Sequence, residues 1–148
     1  MPEVVAQILI QAPVEKVYAL AKDIEGLAAY IQDVEEVKVV ERQGNQTVTE
    51  WVGILREFGR RIRWREVDEW DDEGFQCHFE QREGEFQEYR GLWTFRAEEG
   101  STRSEIRLTY RLEIPLIGPL IQRLIHAKVQ QSCQHILQGL KQRAEESP

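Results

Sequence analysis

The stretch Thr102-Arg103-Ser104-Glu105-Ile106-Arg107-Leu108-Thr109-Tyr110-Arg111-Leu112-Glu113-Ile114-Pro115 decides the fold. Up to residue 113 the apolar side chains recur at every second position. Ile106, Leu108, Tyr110 and Leu112 share one side, and Glu105, Arg107, Thr109, Arg111 and Glu113 take the other. That is a strand with one face on a core and one in water. Beyond Pro115 the spacing becomes three and four: Leu120, Ile121, Leu124, Ile125, Val129, Ser132, Cys133, Ile136, Leu137 and Leu140, with Gln131, Gln134, Gln138, Lys141 and Gln142 opposite. This predicts an amphipathic helix. At 1.5 Å per residue it is about 30 Å long or more, enough to cross a small sheet.

Working back from residue 113, the period of two persists to residue 35. Strands are predicted at 35–42, 46–57, 60–70, 75–82, 86–97 and 102–113. The junctions carry Gly44-Asn45, Gly59, Asp72-Glu73-Gly74, Glu83-Gly84 and Glu99-Gly100. Gaps this short cannot hold parallel crossovers, so the six strands form an antiparallel meander. Residues 3–10 alternate loosely and read as a further strand. Ala12-Pro13 ends it, with Pro13 expected at the first position of a short helix carrying Val14, Val17, Tyr18 and Ala21. A second short helix is expected from Ile24 to about Ile31, capped by Asp23.

The chain has 148 residues, with 19 basic and 26 acidic side chains and a net charge of −7. Apolar residues at 41% and charged residues at 30% are globular values, and the charges of both signs are interspersed. A net negative chain is a poor generic ligand for nucleic acid or anionic lipid, whose sequence-independent attraction is Coulombic. Cys77 and Cys133 suggest no disulfide scaffold, the N-terminus lacks a basic leader pattern, and no apolar run spans about 30 Å of hydrocarbon. The expectation is one soluble, cytoplasmic domain over residues 1–148, without stable membrane insertion, as a monomer or weak homodimer.

Metal and nucleophile patterns are missing. Cys77 and His78 are neighbours on a strand and point to opposite faces, and Cys133 and His135 diverge by about 200° on a helix. There is no CxxC, HExxH, GxSxG or phosphate-binding glycine loop. No metal and no cofactor is expected. Ser104 reads as a strand-edge residue and Cys133 as an inert core thiol. The run Arg56, Arg60, Arg61, Arg63, Arg65 reads as a solvated hairpin paired with Glu66, Asp68, Glu69, Asp71, Asp72 and Glu73, with recognition of an anionic head group as the functional alternative.

Several segments together resemble the START-like helix-grip (SRPBCC) superfamily. They are Ile10-Gln11-Ala12-Pro13-Val14-Glu15-Lys16-Val17-Tyr18, Asp23-Ile24-Glu25, Gly91-Leu92-Trp93-Thr94-Phe95, Gly100-Ser101-Thr102, and Tyr110 to Pro115 leading into the final helix. The nearest match is the polyketide cyclase/dehydrase and lipid transport group. The resemblance implies an α+β helix-grip fold of order β-α-α-β-β-β-β-β-β-α, a seven-stranded curved antiparallel sheet wrapped around the long C-terminal helix. It also implies a hydrophobic pocket between sheet and helix, and by analogy a lid at residues 13–31 hinging near Gly26-Leu27.

Strand 60–70 admits two readings. Ile62 and Trp64 inward bring Glu66 and Asp68 inward too; Arg63, Arg65 and Val67 inward make the pocket basic; a bulge can switch faces midway. Trp64 inward is preferred, because the resemblance puts an aromatic there and an exposed Trp leaves apolar area in water. Glu66 is then the candidate catalytic acid or base, its pKa raised by desolvation. The candidate ligand-binding set is Trp51, Trp64, Phe79, Tyr89, Trp93, Phe95 and Tyr110 from the sheet, with Ile121, Ile125 and Val129 from the helix.

The favoured function is binding, and possible transport, of a hydrophobic small molecule such as a lipid, isoprenoid or polycyclic aromatic. It is oriented by Tyr89, Tyr110 and Trp93, with Glu66 as polar anchor. The alternatives are a polyketide cyclase, aromatase or dehydratase, and a protein-interaction module with a vestigial cavity.

Overall fold

The computed structural model describes residues 2–115 and 118–146. Strand β1 (Glu3–Ile10) leads through Pro13 into helices α1 (Val14–Lys22) and α2 (Ile24–Ala28). Six strands follow: β2 (Val34–Gln43), β3 (Gln46–Leu55), β4 (Arg60–Asp71), β5 (Gln76–Gly84), β6 (Glu88–Glu98) and β7 (Ser101–Arg111). Helix α3 (Pro119–Glu146) closes the chain. All neighbours are antiparallel, in the order β1-β7-β6-β5-β4-β3-β2. This is the α+β helix-grip architecture, a curved seven-stranded sheet around a long C-terminal helix.

The differences from the sequence reading have local causes. Pro13 stands at the N-cap with φ −64° and ψ 149°, one position before the helix, because the ring restricts φ and leaves ψ free. Helix α2 stops at Ala28, and the Asp23 carboxylate binds Arg143 and makes no cap hydrogen bond. Strand β3 ends at Leu55, where Arg56–Phe58 form one 3-10 turn closed by Gly59 at φ 57°. In the 71–75 turn the left-handed residue is Phe75 (φ 51°), since the Asp71 carboxylate accepts from the Glu73 and Gly74 N–H groups and shapes the turn before it.

The core is the concave face plus the inner sides of the helices. From α3 it takes Ile125, Cys133, Leu137, Leu140 and Ala144. Leu120 and Leu124, expected on the buried stripe, are 67% and 48% exposed, because the neighbouring Ile121 and Ile125 take the inward side of those turns. At Gly139 α3 comes close to the 29–31 segment: a Cβ there would lie 2.7 Å from the Tyr30 carbonyl oxygen.

Strand β1 is an edge whose free carbonyls would template pairing with another chain. Gln130 donates to Val5 O (3.0 Å), Gln134 to Gln7 O (3.3 Å) and Lys141 to Leu9 O (2.9 Å). These side chains meet alternate residues of β1, matching the strand's period of two. The polar side of α3 therefore seals the edge.

Segment 13–31, expected as a lid, is fastened down. Leu27 is fully buried, and Arg143 donates to Leu20 O (3.2 Å), Asp23 O (3.1 Å) and the Asp23 carboxylate (2.6 Å). The Tyr18 hydroxyl and Lys22 ammonium both reach Asp72 in the β4–β5 turn, at 2.7 and 3.0 Å. The segment is thus anchored through residues 18–23 and by the buried Leu27.

Candidate functional site

Strand β4 presents Ile62, Trp64, Glu66, Asp68 and Trp70 to the interior, so its inner face carries two carboxyl groups between aromatics. The β4–β5 ladder does contain a bulge, with Arg65 opposite Glu83 and Glu66 opposite Gln81. The extra residue, Arg82, belongs to β5, so β4 keeps strict alternation. On β3 the alternation blurs in the sequence because Val48 and Val52 are also buried on the outer side. The inner side carries Thr47, Thr49, Trp51, Gly53 and Leu55.

Facing residues on β3 and β4 build one polar circuit. Trp51 pairs with Trp64, Thr49 with Glu66 and Thr47 with Asp68. The two indoles stack with centroids 5.6 Å apart and planes 8° from parallel. Trp51 Nε1 donates to Thr49 Oγ1 at 2.9 Å, and Thr49 Oγ1 donates to Asp68 Oδ2 at 2.7 Å, joined there by Thr47 Oγ1 at 3.3 Å. Trp64 Nε1 donates to Glu66 Oε1 at 2.7 Å. A hydrogen bond between the Glu66 and Asp68 carboxyls closes the ring.

Two buried carboxyls in contact cannot both ionise cheaply. Desolvation pushes Glu66 well above the usual carboxylate range, and the neighbouring Asp68 pushes it further. Desolvation raises Asp68 as well, but hydrogen bonds from Glu66, Thr49 and Thr47 hold it down. The pair therefore favours sharing one proton, and Glu66 is the member pushed higher.

Two small cavities adjoin this circuit. One, of about 40 Å³, is walled by Glu66, Asp68, Trp70, Cys77, Phe79 and Trp93. The other, of about 70 Å³, runs past Trp64, Phe86, Leu112, Val129 and Ser132 to Asp33. Trp51, Tyr89, Leu108, Cys133 and Ile136 border both and form the partition. Burial, then the Glu66 carboxyl, pushes the Tyr89 hydroxyl well up. Burial pushes the Cys133 thiol up to about 12, so it is unreactive. A groove of about 530 Å³ on the opposite, solvent face includes Glu69, His78, Glu80, Arg90 and Arg107; it is open and charged, without an enclosed apolar wall.

Of the ligand-binding set, Trp51, Trp64, Phe79, Tyr89, Trp93 and Val129 border a cavity, as does Glu66. Phe95, Tyr110, Ile121 and Ile125 do not. Phe95 packs edge-on to Tyr18 at 5.5 Å, and Ile125 is 1% exposed in the core. The Tyr110 hydroxyl shares a 2.8 Å hydrogen bond with His126 Nδ1, and Trp93 Nε1 donates to Ser104 Oγ at 2.8 Å. Neither of these polar tips is left to orient a ligand. Ser104, expected at a strand edge, is fully buried as that acceptor.

Sequence reasoning missed Asp68 as the partner of Glu66, and Trp70 and Phe86 as wall residues. The same alternation that turns Trp64 inward turns Asp68 and Trp70 inward. Phe86 sits in a loop, held by Gln81 hydrogen bonds to its backbone at 2.8 and 3.3 Å, and no periodicity points to it.

The arginine run faces outward. Arg56 binds Asp33 (2.8 Å), Arg60 binds Glu85 (2.9 Å), Arg61 binds Glu35 (2.5 Å), and Arg65 binds Glu50 and Glu83. The acids at 66–73 are not these partners, because residues of one strand face away from each other or lie too far along it. Among the described residues, no three His, Cys, Asp or Glu side chains converge as a metal-ligand set would, and no helix is long and apolar enough to cross a membrane.

Residues 10–134 match the family model described as "Polyketide cyclase / dehydrase and lipid transport". No curated protein matches the chain. Among solved structures it is similar to TTHA0849 from Thermus thermophilus, with 42% identity, TM-score 0.94 and 98% of both chains covered. It shares the fold of the Zhui aromatase/cyclase from a Streptomyces species (16% identity, TM-score 0.84, 98% and 94% covered). The same holds for a START superfamily protein from Mycobacterium smegmatis (14% identity, TM-score 0.74, 97% of both chains covered).

Proposed function

We propose, for a chain that belongs to the polyketide cyclase/dehydrase and lipid transport family, that it binds a hydrophobic small molecule in the space between sheet and α3. The lipid, isoprenoid and polycyclic aromatic classes fit this reading. The observation that carries it is the aromatic-walled pair of cavities with a buried carboxyl pair in the wall of the smaller one. A core built for stability alone gains nothing from two desolvated carboxyls, whereas a ligand site uses a few fixed polar groups in an apolar wall.

At about 40 and 70 Å³ the cavities are smaller than the roughly 300–1,000 Å³ of ordinary ligand pockets. Binding therefore requires the partition to give way, and Tyr89, which borders both cavities from β6, is the side chain whose rotation joins them. Burial of ligand surface at about 25 cal/mol per Å² offsets that displacement. The same reading has one domain act over residues 1–148, as a monomer or weak homodimer in the cytoplasm, without cofactor or nucleic acid.

Native mass spectrometry of protein purified from its own cells tests the reading, with an apolar molecule co-purifying as the expected result. Tyr89→Ala should increase the retained amount by joining the cavities. Protein that carries nothing and gains no thermal stability from any apolar compound belongs instead to the interaction-module reading, in which Trp93→Ala destabilises the fold and alters no binding.

The carboxyl pair also favours a second reading, a cyclase, aromatase or dehydratase in which Glu66 gives up and retakes its proton. Under it, Glu66→Gln abolishes turnover of a poly-β-keto mimic while leaving its binding intact.

A further inference from the structure

The carboxyl-bearing and basic side chains that border the cavities are of one sign among the described residues. Glu66 and Asp68 border the smaller cavity, and Asp33 lies at the far end of the larger one. No lysine, arginine or histidine borders either cavity among the described residues. Basic groups stand outside: Arg56 donates to Asp33 Oδ1 at 2.8 Å, and the His135 ring places Nδ1 3.4 Å from Asp33 Oδ2. Several surrounding donors are already engaged, while the Tyr89 and Ser132 hydroxyls also border the cavities. Trp51 and Trp64 donate into the circuit, Thr47 and Thr49 donate to Asp68, and Trp93 donates to Ser104. What the carboxyl pair offers an incoming molecule is oxygen lone pairs and one net negative charge.

We infer that this site selects hydrophobic molecules whose polar end donates hydrogen bonds, an ammonium or a hydroxyl, and rejects those that end in a carboxylate. This rests on the hydrophobic-ligand reading and specifies its ligand class. A buried anion beside Asp68 would bring two like charges together in a medium of low polarity with no cation to compensate. A hydroxyl finds an acceptor there, and an ammonium finds a counter-ion. Free fatty acids are thereby disfavoured against alcohols and amines of the same apolar body. An ammonium also competes with the proton on Glu66, since either can neutralise the pair, so its binding releases a proton that hydroxyl binding does not.

The test uses three probes with one apolar body: 2-(hydroxymethyl)naphthalene, 2-(aminomethyl)naphthalene and 2-naphthoate. Each is titrated into the full chain near neutral pH and followed by calorimetry and tryptophan fluorescence. The alcohol and the amine are expected to bind at least about tenfold more tightly than the carboxylate. Asp68→Asn, which removes the charge, is expected to shrink that gap to less than about threefold. Should that variant not fold, Glu66→Gln serves: calorimetry of the amine in two buffers of different ionisation enthalpy shows proton release in the native protein and none in the variant. Carboxylate binding as tight as that of the alcohol overturns the selectivity and leaves the hydrophobic-ligand reading standing. A gap unchanged by Asp68→Asn, or proton release unchanged by Glu66→Gln, overturns its assignment to this pair. Binding of none of the three overturns both.

Discussion

The indoles of Trp51 and Trp64 stand opposite each other in the β3–β4 register and stack with centroids 5.6 Å apart, while their Nε1 groups both reach to the next cross-strand pair, Thr49 and Glu66. The stack makes one wall of the site and also aims two donors into the circuit around Asp68. Trp64→Phe should remove the coupled-indole signal from the circular dichroism spectrum. It should also cost about 1–2 kcal/mol in denaturant unfolding, through loss of the stack and of the donor to Glu66. An unchanged spectrum would mean that the rings do not stack in solution.

Glu66 makes stability depend on pH in a defined direction. Its carboxyl lies well above the ordinary value of 4.5 when folded, because of desolvation and then Asp68. As pH rises past 4.5 the unfolded chain releases this proton while the folded chain keeps it, so the folded state loses stability with rising pH. Glu66→Gln keeps a donor toward Asp68 and removes the titration. Its denaturation midpoint relative to the native protein should rise as pH increases above 4.5, and parallel profiles would exclude a protonated Glu66.

Asp72 titrates the other way. Hydrogen bonds from Tyr18, then Lys22 and Asn45, bring its pKa down from 3.8 to about 2. A lowered carboxyl contributes stability above its unfolded pKa, and the contribution is lost as pH falls from about 4 to about 2. Asp72→Ala should be less stable than the native protein at about pH 7 and converge with it near pH 2 in thermal scans. Persistent separation at the acid end would assign the loss to packing of the turn.

Arg143 fastens α1 and α2 to α3 through three hydrogen bonds to Leu20 and Asp23. Arg143→Ala should speed amide exchange across residues 20–31 by an amount equal to about 1.5–3 kcal/mol of local stability. The central strands should keep their protection. Uniform loss of protection across the chain would show that this segment does not open separately.

Gly139→Ala sets two effects against each other. Alanine in a helix gains about 1 kcal/mol over glycine. Its Cβ, however, would stand 2.7 Å from the Tyr30 carbonyl oxygen, and the neighbour is backbone. Overpacking of this kind costs about 1–3 kcal/mol, so a net loss is expected in chemical denaturation. A gain would place the 29–31 segment farther from α3.

Much of this architecture was legible in local sequence. The existence and inward face of β7 could be read because Ile106, Leu108 and Tyr110 alternate with charges, although it runs from Ser101 to Arg111 and not from 102 to 113. Helix α3 could be read because its apolar spacing changes after Pro115. Strand β4 stayed ambiguous because Glu66 and Asp68 interrupt the apolar series on its inner face, and only the register with β3 shows them supported by Thr47 and Thr49. The exposure of Leu120 and Leu124 was hidden because apolar spacing does not report how wide a stripe of the helix the rest of the fold covers.

Element order, the inward faces of the later strands and the aromatic character of the interior follow from short-range patterns, since side-chain direction repeats every two residues in a strand and every three or four in a helix. The partition of the interior into two cavities, the proton held between Glu66 and Asp68, and the sealing of β1 by Gln130, Gln134 and Lys141 do not. The β1 contacts join residues more than a hundred positions apart. Volume, desolvation and charge pairing depend on which side chains meet across the fold, and tertiary packing alone decides that.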